Sequence, residues 1–321
     1  MKMKRSGWFK VIWFASAISV LAACDDDDSS EPMGKGEAEF EITDAPSDDA
    51  SVKGVFVTIA DIKVDGQSVS GFTKQTIDLK AYQEGNTKLL AKAGELDAKS
   101  YNKLTLVLDL NADANGNAPG CYVLTQDDTK YKLRNTTTGL AEVTINKDWS
   151  VVANTTSKIV MDFDLRKSLE YSDDPAIRYS FVSDDKLGTS IRLVAREDAG
   201  TIKGSYQGGS DADKIVVYAY KKGTFSAATE TESQDENATL FANAVTSAEV
   251  RQGVTGRTFT LAFLEEGEYE LHFAEHRQDA SGRMTFEALL NSETTIDGSA
   301  ANVVKVNGGV TVNVSGTLGL L

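Results

Sequence analysis

From Glu37 onward, apolar side chains recur at every second position, and this period of two constrains the chain more than any other feature. Ala38, Phe40 and Ile42 alternate with Glu37, Glu39 and Glu41, which predicts a strand with one buried and one charged face. Thr43-Asp44-Ala45-Pro46 breaks the pattern, because an Asp side chain accepts N–H groups across a turn and Pro46 donates none to a ladder. Val55, Val57 and Ile59 resume it, then Ile62 and Val64 before an Asp65-Gly66 turn. Further strands are predicted at Phe72 to Leu79, Asn102 to Leu108, Cys121 to Leu124, Lys130 to Leu133, Leu140 to Ile145, Ile159 to Leu165, Ile177 to Phe181 and Ile191 to Val194. Helical spacing is confined to a turn or two near Leu89 to Ala93 and near Arg166 to Glu170. Many short strands punctuated by turns predict an all-β, antiparallel sandwich.

Polarity rises at Glu197-Asp198-Ala199-Gly200, and a second β pattern begins there. Its strands are Thr201 to Tyr206, Lys214 to Tyr220, Thr258 to Leu264, Tyr269 to Phe273, Met284 to Leu289, Val303 to Val306 and Val310 to Val314, with Lys222 to Asn237 as an acidic surface loop. The expected organisation is two antiparallel β-sandwich domains in tandem, 37–198 and 199–321, with no internal repeat between them.

What precedes these domains decides where they work. Lys2, Lys4, Arg5 and Lys10 stand before the apolar run Val11 to Val20, which ends in Leu21-Ala22-Ala23-Cys24. The run is too short to cross a hydrocarbon core as a helix, which takes roughly 20 apolar residues. The stretch resembles a bacterial lipoprotein signal peptide over residues 1–23, and the resemblance implies that Cys24 carries diacylglycerol and an N-acyl chain as the mature amino terminus. Several acyl chains hold a membrane where one does so only marginally. Residues 24–36 read as a flexible acidic tether. Asp25, Asp26, Asp27 and Asp28 resemble the surface-export signal of some Gram-negative outer-membrane lipoproteins. The expected address is therefore the outer membrane, facing the cell surface, with its periplasmic face as the alternative.

Loss of a leader carrying four cations takes the net charge from −15 to −19. Such a chain does not suit a phosphate backbone, so nucleic acid is excluded as a partner, and the acyl chains are the expected membrane contact. Of two cysteines, Cys24 is committed to lipid, which leaves Cys121 without a disulfide partner and reads it as a buried, inert thiol.

Several segments together resemble the domain-of-unknown-function family 4382 of exported bacterial lipoproteins. They are Thr43-Asp44-Ala45-Pro46, Val55 to Ile62, Leu96 to Leu106, Met161-Asp162-Phe163-Asp164-Leu165-Arg166-Lys167-Ser168 and Ile191-Arg192-Leu193-Val194. The match covers roughly residues 36 to 198, with Lys99 where the family usually has glycine. No activity is assigned to that family. Gly200 to Gly204, Val216 to Tyr220 and Phe259 to Leu271 resemble a carboxypeptidase-regulatory-like, transthyretin-type sandwich, which implies a spacer or binding platform.

No residue set reads as a catalytic site. His272 and His276 lie four apart in a strand, about 13 Å, too far to share a metal. Asp162 and Asp164 share a face opposite Met161, Phe163 and Leu165, and are expected to bind backbone donors or a cation rather than to catalyse. Asp109, Asn111 and Asp113 resemble half of a calcium loop, without its sixth-position Gly and twelfth-position Glu; calcium is the weaker reading beside a polar hairpin, and no other metal or cofactor is expected. Lys203 and Asn313 have the strand positions for an isopeptide cross-link but alternate onto polar faces. Tyr218 and Tyr220 are a candidate sugar-stacking pair. The function these observations point to is a non-catalytic, lipid-anchored binding or scaffold module with a protein or glycan ligand. The alternatives are a glycan-binding or adhesive surface module and a hydrolase accessory subunit or cryptic hydrolase.

Overall fold

Alternating apolar residues become paired strands throughout the computed structural model, which describes residues 34–320 apart from 46–51, 136–137, 173, 175, 209–210, 233–238, 255 and 280–283. The leader, Cys24 and Asp25 to Asp28 lie outside the described residues. In chain order the longer N-terminal elements are β1 (Lys35–Ala45), β2 (Val52–Val64), β3 (Gln75–Asp78), β4 (Lys88–Asp97), β5 (Ser100–Asp109), β6 (Tyr122–Thr125), β7 (Leu140–Ser150), β8 (Thr156–Asp164), helix α1 (Leu165–Ser168), helix α2 (Asp184–Thr189) and β9 (Ile191–Ala195). One sheet has the order β9-β8-β1-β4; the facing sheet runs β6-β2-β5-β7, with β3 beside β2. Phe40, Ile42, Met161 and Phe163 from the first meet Val57, Ile59, Leu106 and Val143 from the second in one buried core. Each residue of a strand's inner face therefore loses its water, worth roughly 1.5–3 kcal/mol for a large aliphatic or aromatic side chain.

The C-terminal half contributes β10 (Ala199–Gly208), β11 (Lys214–Lys221), the one-turn helix α3 (Ala227–Glu230), β12 (Thr246–Glu249), β13 (Arg257–Glu265), β14 (Gly267–Gln278), β15 (Met284–Ile296), β16 (Val304–Val306) and β17 (Thr311–Leu320). A single sheet in the order β12-β11-β14-β15-β17-β10-β13 folds round so that Val217 of β11 and Leu261 of β13, far apart in that order, share a core with Tyr206 and Phe273. The all-β expectation holds, and its antiparallel character holds with two exceptions among the described strand pairs. β1 pairs with β8, and β10 with β17, in parallel. Parallel neighbours need long connections, and both pairs join strands far apart in the chain. In the described residues no helix is long and apolar enough to cross a membrane.

Leu89 to Ala93, predicted as a helical turn, is part of strand β4. Leu, Ala and Lys favour a helix by only tenths of a kcal/mol each. The free edge of β1 outweighs this by pairing Phe40 with Ala91 and Ala38 with Ala93. The predicted turn after Leu165 is present as α1. Part of the segment expected to be a surface loop, Lys222 to Asn237, folds back: Glu230 is buried and accepts from the Tyr220 hydroxyl at 2.7 Å and the Asn243 side chain at 2.5 Å. Polar composition suggested solvent, but these donors satisfy the carboxylate indoors.

Candidate functional site

Asp162 and Asp164 leave β8 on the face away from the core, as their alternation requires, and that face meets the C-terminal lobe. Asp162 lies in register with Arg192 on β9. The Arg192 guanidinium donates to Asp162 Oδ2 at 2.5 and 3.2 Å, and its other end donates to the Phe263 carbonyl at 3.1 Å. Asp164 caps α1 by accepting from the Arg166 amide at 3.1 Å, and holds the Arg166 side chain at 2.7 Å. That guanidinium reaches the Phe241 carbonyl at 3.2 Å and lies 5.2 Å from the Tyr218 ring centre. Lys167 donates to the Ala244 carbonyl at 2.7 Å. Burial pushes the Lys167 ammonium below its ordinary range, with Asp164 pulling the other way. Arg196 pairs with Glu41 and lies over the Phe263 ring, 5.2 Å from its centre.

The acceptors are as distinctive as the donors. Phe241 and Phe263 both have φ of 55°, a left-handed conformation rare for bulky side chains. Each offers its carbonyl to one arginine of the other lobe. Asp162 and Asp164 thus accept from arginine side chains and, at Asp164, from a backbone amide, as expected of a pair in structural use. Arg166 and Arg192 stand inside motifs quoted from the sequence, which gave them no role, and Arg196 was not named there; the signal for Arg192 is a cation alternating with Ile191 and Leu193 in an otherwise apolar strand.

Asp44, expected in a turn, lies near the end of β1, which continues through Ala45 by pairing with β8, and it borders this seam. Its Oδ2 accepts from Gln83 at 2.7 Å, while Oδ1 and the Ser247 hydroxyl are buried without a partner among the described residues. Both line a cavity of about 20 Å³ between the lobes, room for one water. Burial raises the Asp44 carboxyl well above its ordinary range; the Gln83 hydrogen bond opposes this and Asp162 and Asp164 add to it.

Next to the seam a groove of about 600 Å³ opens between β7, α2 and β9 on one side and Val245, Lys221 and Glu265 on the other. Ile145, Ile191 and Leu193 supply its apolar lining; Lys147, paired with Glu265 at 3.1 Å, and Asp185 supply its charge. Gly188 lets α2 press on β7, since a Cβ there would sit 2.2 Å from the Thr144 carbonyl oxygen.

The other sequence candidates are dispersed. Asp109 accepts from the amides of Asn111 and Ala112 and from Lys74, and Asp113 from the amides of Asn115 and Asn117. In the described residues no three His, Cys, Asp or Glu side chains are placed to hold a metal. His276 is buried against the Tyr218 hydroxyl at 3.0 Å, and His272 stacks on Phe225. Tyr218 and Tyr220 are fully buried, so they offer no sugar-stacking surface. Strand β11 is covered on both faces, with Tyr218 stacked on Phe241 at 4.0 Å, and alternation alone does not reveal a second cover. Lys203 and Asn313 are register partners on β10 and β17, and both are exposed. Cys121 is fully buried, and desolvation pushes its thiol up to about 12.

No curated protein sequence matches the chain significantly. Three solved structures align with most of it: the minor pilin of the Gram-positive pathogen Streptococcus agalactiae (10% identity, 88% of this chain and 96% of that one, TM-score 0.20), the major pilin subunit of Bacillus cereus (10%, 88% and 69%, 0.20) and a candidate adhesin from Bacteroides ovatus (15%, 79% and 76%, 0.18). At such TM-scores these likenesses carry no argument about this chain. Residues 35–181 match the family described as Domain of unknown function (DUF4382), and a domain of that family occupies this part of the chain, stopping short of β9, which completes its sheet.

Proposed function

We propose that the chain is a non-catalytic binding or scaffold module, held at the outer membrane by acyl chains on Cys24 and displayed on the cell surface. The observation that carries the binding role is the inter-lobe groove. Its volume of about 600 Å³ falls within the range of roughly 300–1,000 Å³ typical of ligand sites, and its apolar lining carries a charged rim. The charged groups beside it support a structural rather than a chemical role. Arg166, Lys167 and Arg192 direct their donors to aspartates and backbone carbonyls, an arrangement that positions one lobe on the other. The C-terminal lobe, with its transthyretin-type strand pattern, acts as the second wall of the groove.

The anchor rests on the leader and lipobox. Cys24→Ser is expected to move the protein from the membrane fraction to the soluble fraction and to abolish metabolic labelling with a clickable fatty acid. A variant that still sediments with label would exclude acylation at this position. Proteinase treatment of intact cells is expected to remove the wild-type protein, and protection there would place it on the periplasmic face. Exchange of Asp25 to Asp28 for alanine should restore protection without altering the circular dichroism spectrum.

A further inference from the structure

The C-terminal sheet splits at one place, and a cavity of about 360 Å³ fills the gap. β14 pairs with β15 as far as Phe273 and Leu290 and with β16 from Tyr269 and Val304, while β15 stays with β17 from Leu290 to Thr295. Residues 270–272 are left between the two ladders. The Lys222 amide donates to the Glu268 carbonyl, so even-numbered residues of β14 turn their backbone groups toward β11 and odd-numbered ones toward the gap. The N–H and C=O of Leu271 therefore face the gap, where neither ladder reaches them. Backbone groups of a sheet are rarely left so. Asn291, Ser292 and Asn302 also line the cavity, and their side chains make no hydrogen bond among the described residues. Glu270, whose Oε1 accepts from the Gly223 amide at 3.0 Å, is the one carboxylate of the lining, which holds no Lys or Arg.

The geometry points to a neutral monosaccharide residue, at the end or branch of a glycan, as the occupant of this gap. Its open groups are donors and acceptors in similar number: a backbone N–H and C=O, two carboxamides that carry both, and a hydroxyl. A ring of hydroxyls, each able to donate and to accept, matches such a set, whereas a hydrocarbon would leave it unpaired. Glu270 repels an anion, and no cation of the lining offsets it. An extended peptide cannot thread the gap, because strand pairing closes it at Tyr269 and at Phe273, about 13 Å apart at 3.3–3.4 Å per residue. The Ala301 amide, bonded to the Thr294 carbonyl at 2.9 Å, closes a third side. The volume lies at the lower end of the roughly 300–1,000 Å³ of ligand sites, which suits one ring rather than a long oligosaccharide. The cavity shares no lining residue with the inter-lobe groove, so this inference stands apart from the reading of that groove.

The test uses the full-length protein in micelles of a sugar-free detergent, titrated with the methyl pyranosides of glucose, galactose, mannose and N-acetylglucosamine. Binding is read by saturation-transfer NMR and by hydrogen exchange. At least one of the four should bind and should slow exchange at the Leu271 amide. Asn302→Ala should weaken that binding by about three- to tenfold, the effect of one neutral hydrogen bond or slightly more. Asn302→Trp, which fills the mouth from an exposed position, should abolish it. Asn291→Trp, also at an exposed position, serves the same purpose should Asn302→Trp fail to fold. Tetrahydropyran, the same ring without hydroxyls, should not compete, and methyl glucuronide should bind more weakly than the best of the four. Failure of all four to bind, binding unchanged in the tryptophan variants, unaltered exchange at Leu271, competition by tetrahydropyran or preference for the glucuronide would each overturn the assignment.

Discussion

The two lobes meet with different chemistry. The N-terminal lobe contributes side chains, namely Arg166, Lys167, Arg192 and Arg196, each held by an aspartate or glutamate of the same lobe. To Arg166, Lys167 and Arg192 the C-terminal lobe contributes backbone, the carbonyls of Phe241, Ala244 and Phe263, while its Glu265 and Arg251 side chains pair with Lys147 and Glu84 nearer the surface. Around these buried cations side-chain identity thus matters on one side, while on the other the requirement is a backbone conformation that aims a carbonyl outward. The motif residues of the family domain turn out to be docking residues. Their carboxylates hold cations whose remaining donors cross to the other lobe, where charge-assisted bonds are stronger than neutral ones.

The largest effect that sharpens this contrast is expected at Asp164. The Arg166 side chain is 1% exposed, so Asp164→Ala leaves a buried guanidinium without its carboxylate and removes the cap of α1. A loss of about 3–5 kcal/mol in urea unfolding is expected, as for other broken buried pairs. A loss below about 1 kcal/mol would mean that the carbonyl of the other lobe suffices, and the side-chain half of the contrast would fail.

A smaller, pH-dependent effect is expected at Asp44. Its carboxyl is raised in the fold, so the folded chain keeps a proton that the unfolded chain releases near 3.8. The stabilisation is full below that value and is lost as pH rises toward the folded value. Asp44→Asn should therefore match the wild type near pH 3 and become progressively more stable than it toward neutral pH. Thermal unfolding across that range would show the divergence; parallel curves would mean that the buried carboxyl does not titrate differently in the fold.

The smallest effect is expected at the surface pair of Lys222 and Glu268, about half exposed on both sides at 2.9 Å. Lys222→Ala should leave the melting temperature unchanged within error, because exposed pairs are screened by water and salt. A clear loss there would blur the distinction between pairs buried in the seam and pairs outside it.

The readability of the fold differed in the same way between local and distant relations. Alternation located most strands, the buried thiol of Cys121 and the outward face of Asp162 and Asp164. It missed β4, where helix-forming residues yield to the edge of β1, and β12, whose Thr246-Ser247-Ala248-Glu249 has little apolar content but pairs with β11. It also suggested exposed faces for Tyr218 and Tyr220. Those faces are covered by Phe241 and Phe225, which lie in a segment too polar to announce a cover.

By itself, the sequence determined the all-β class, the change of pattern near Glu197 and the acidic balance, because each follows from the spacing and count of neighbouring side chains. Only the tertiary structure decided which cation meets Asp162 and which carbonyl receives Arg166. Those relations join residues about 30 to 80 positions apart or more, set by the pairing order of whole strands, and no local periodicity records that order.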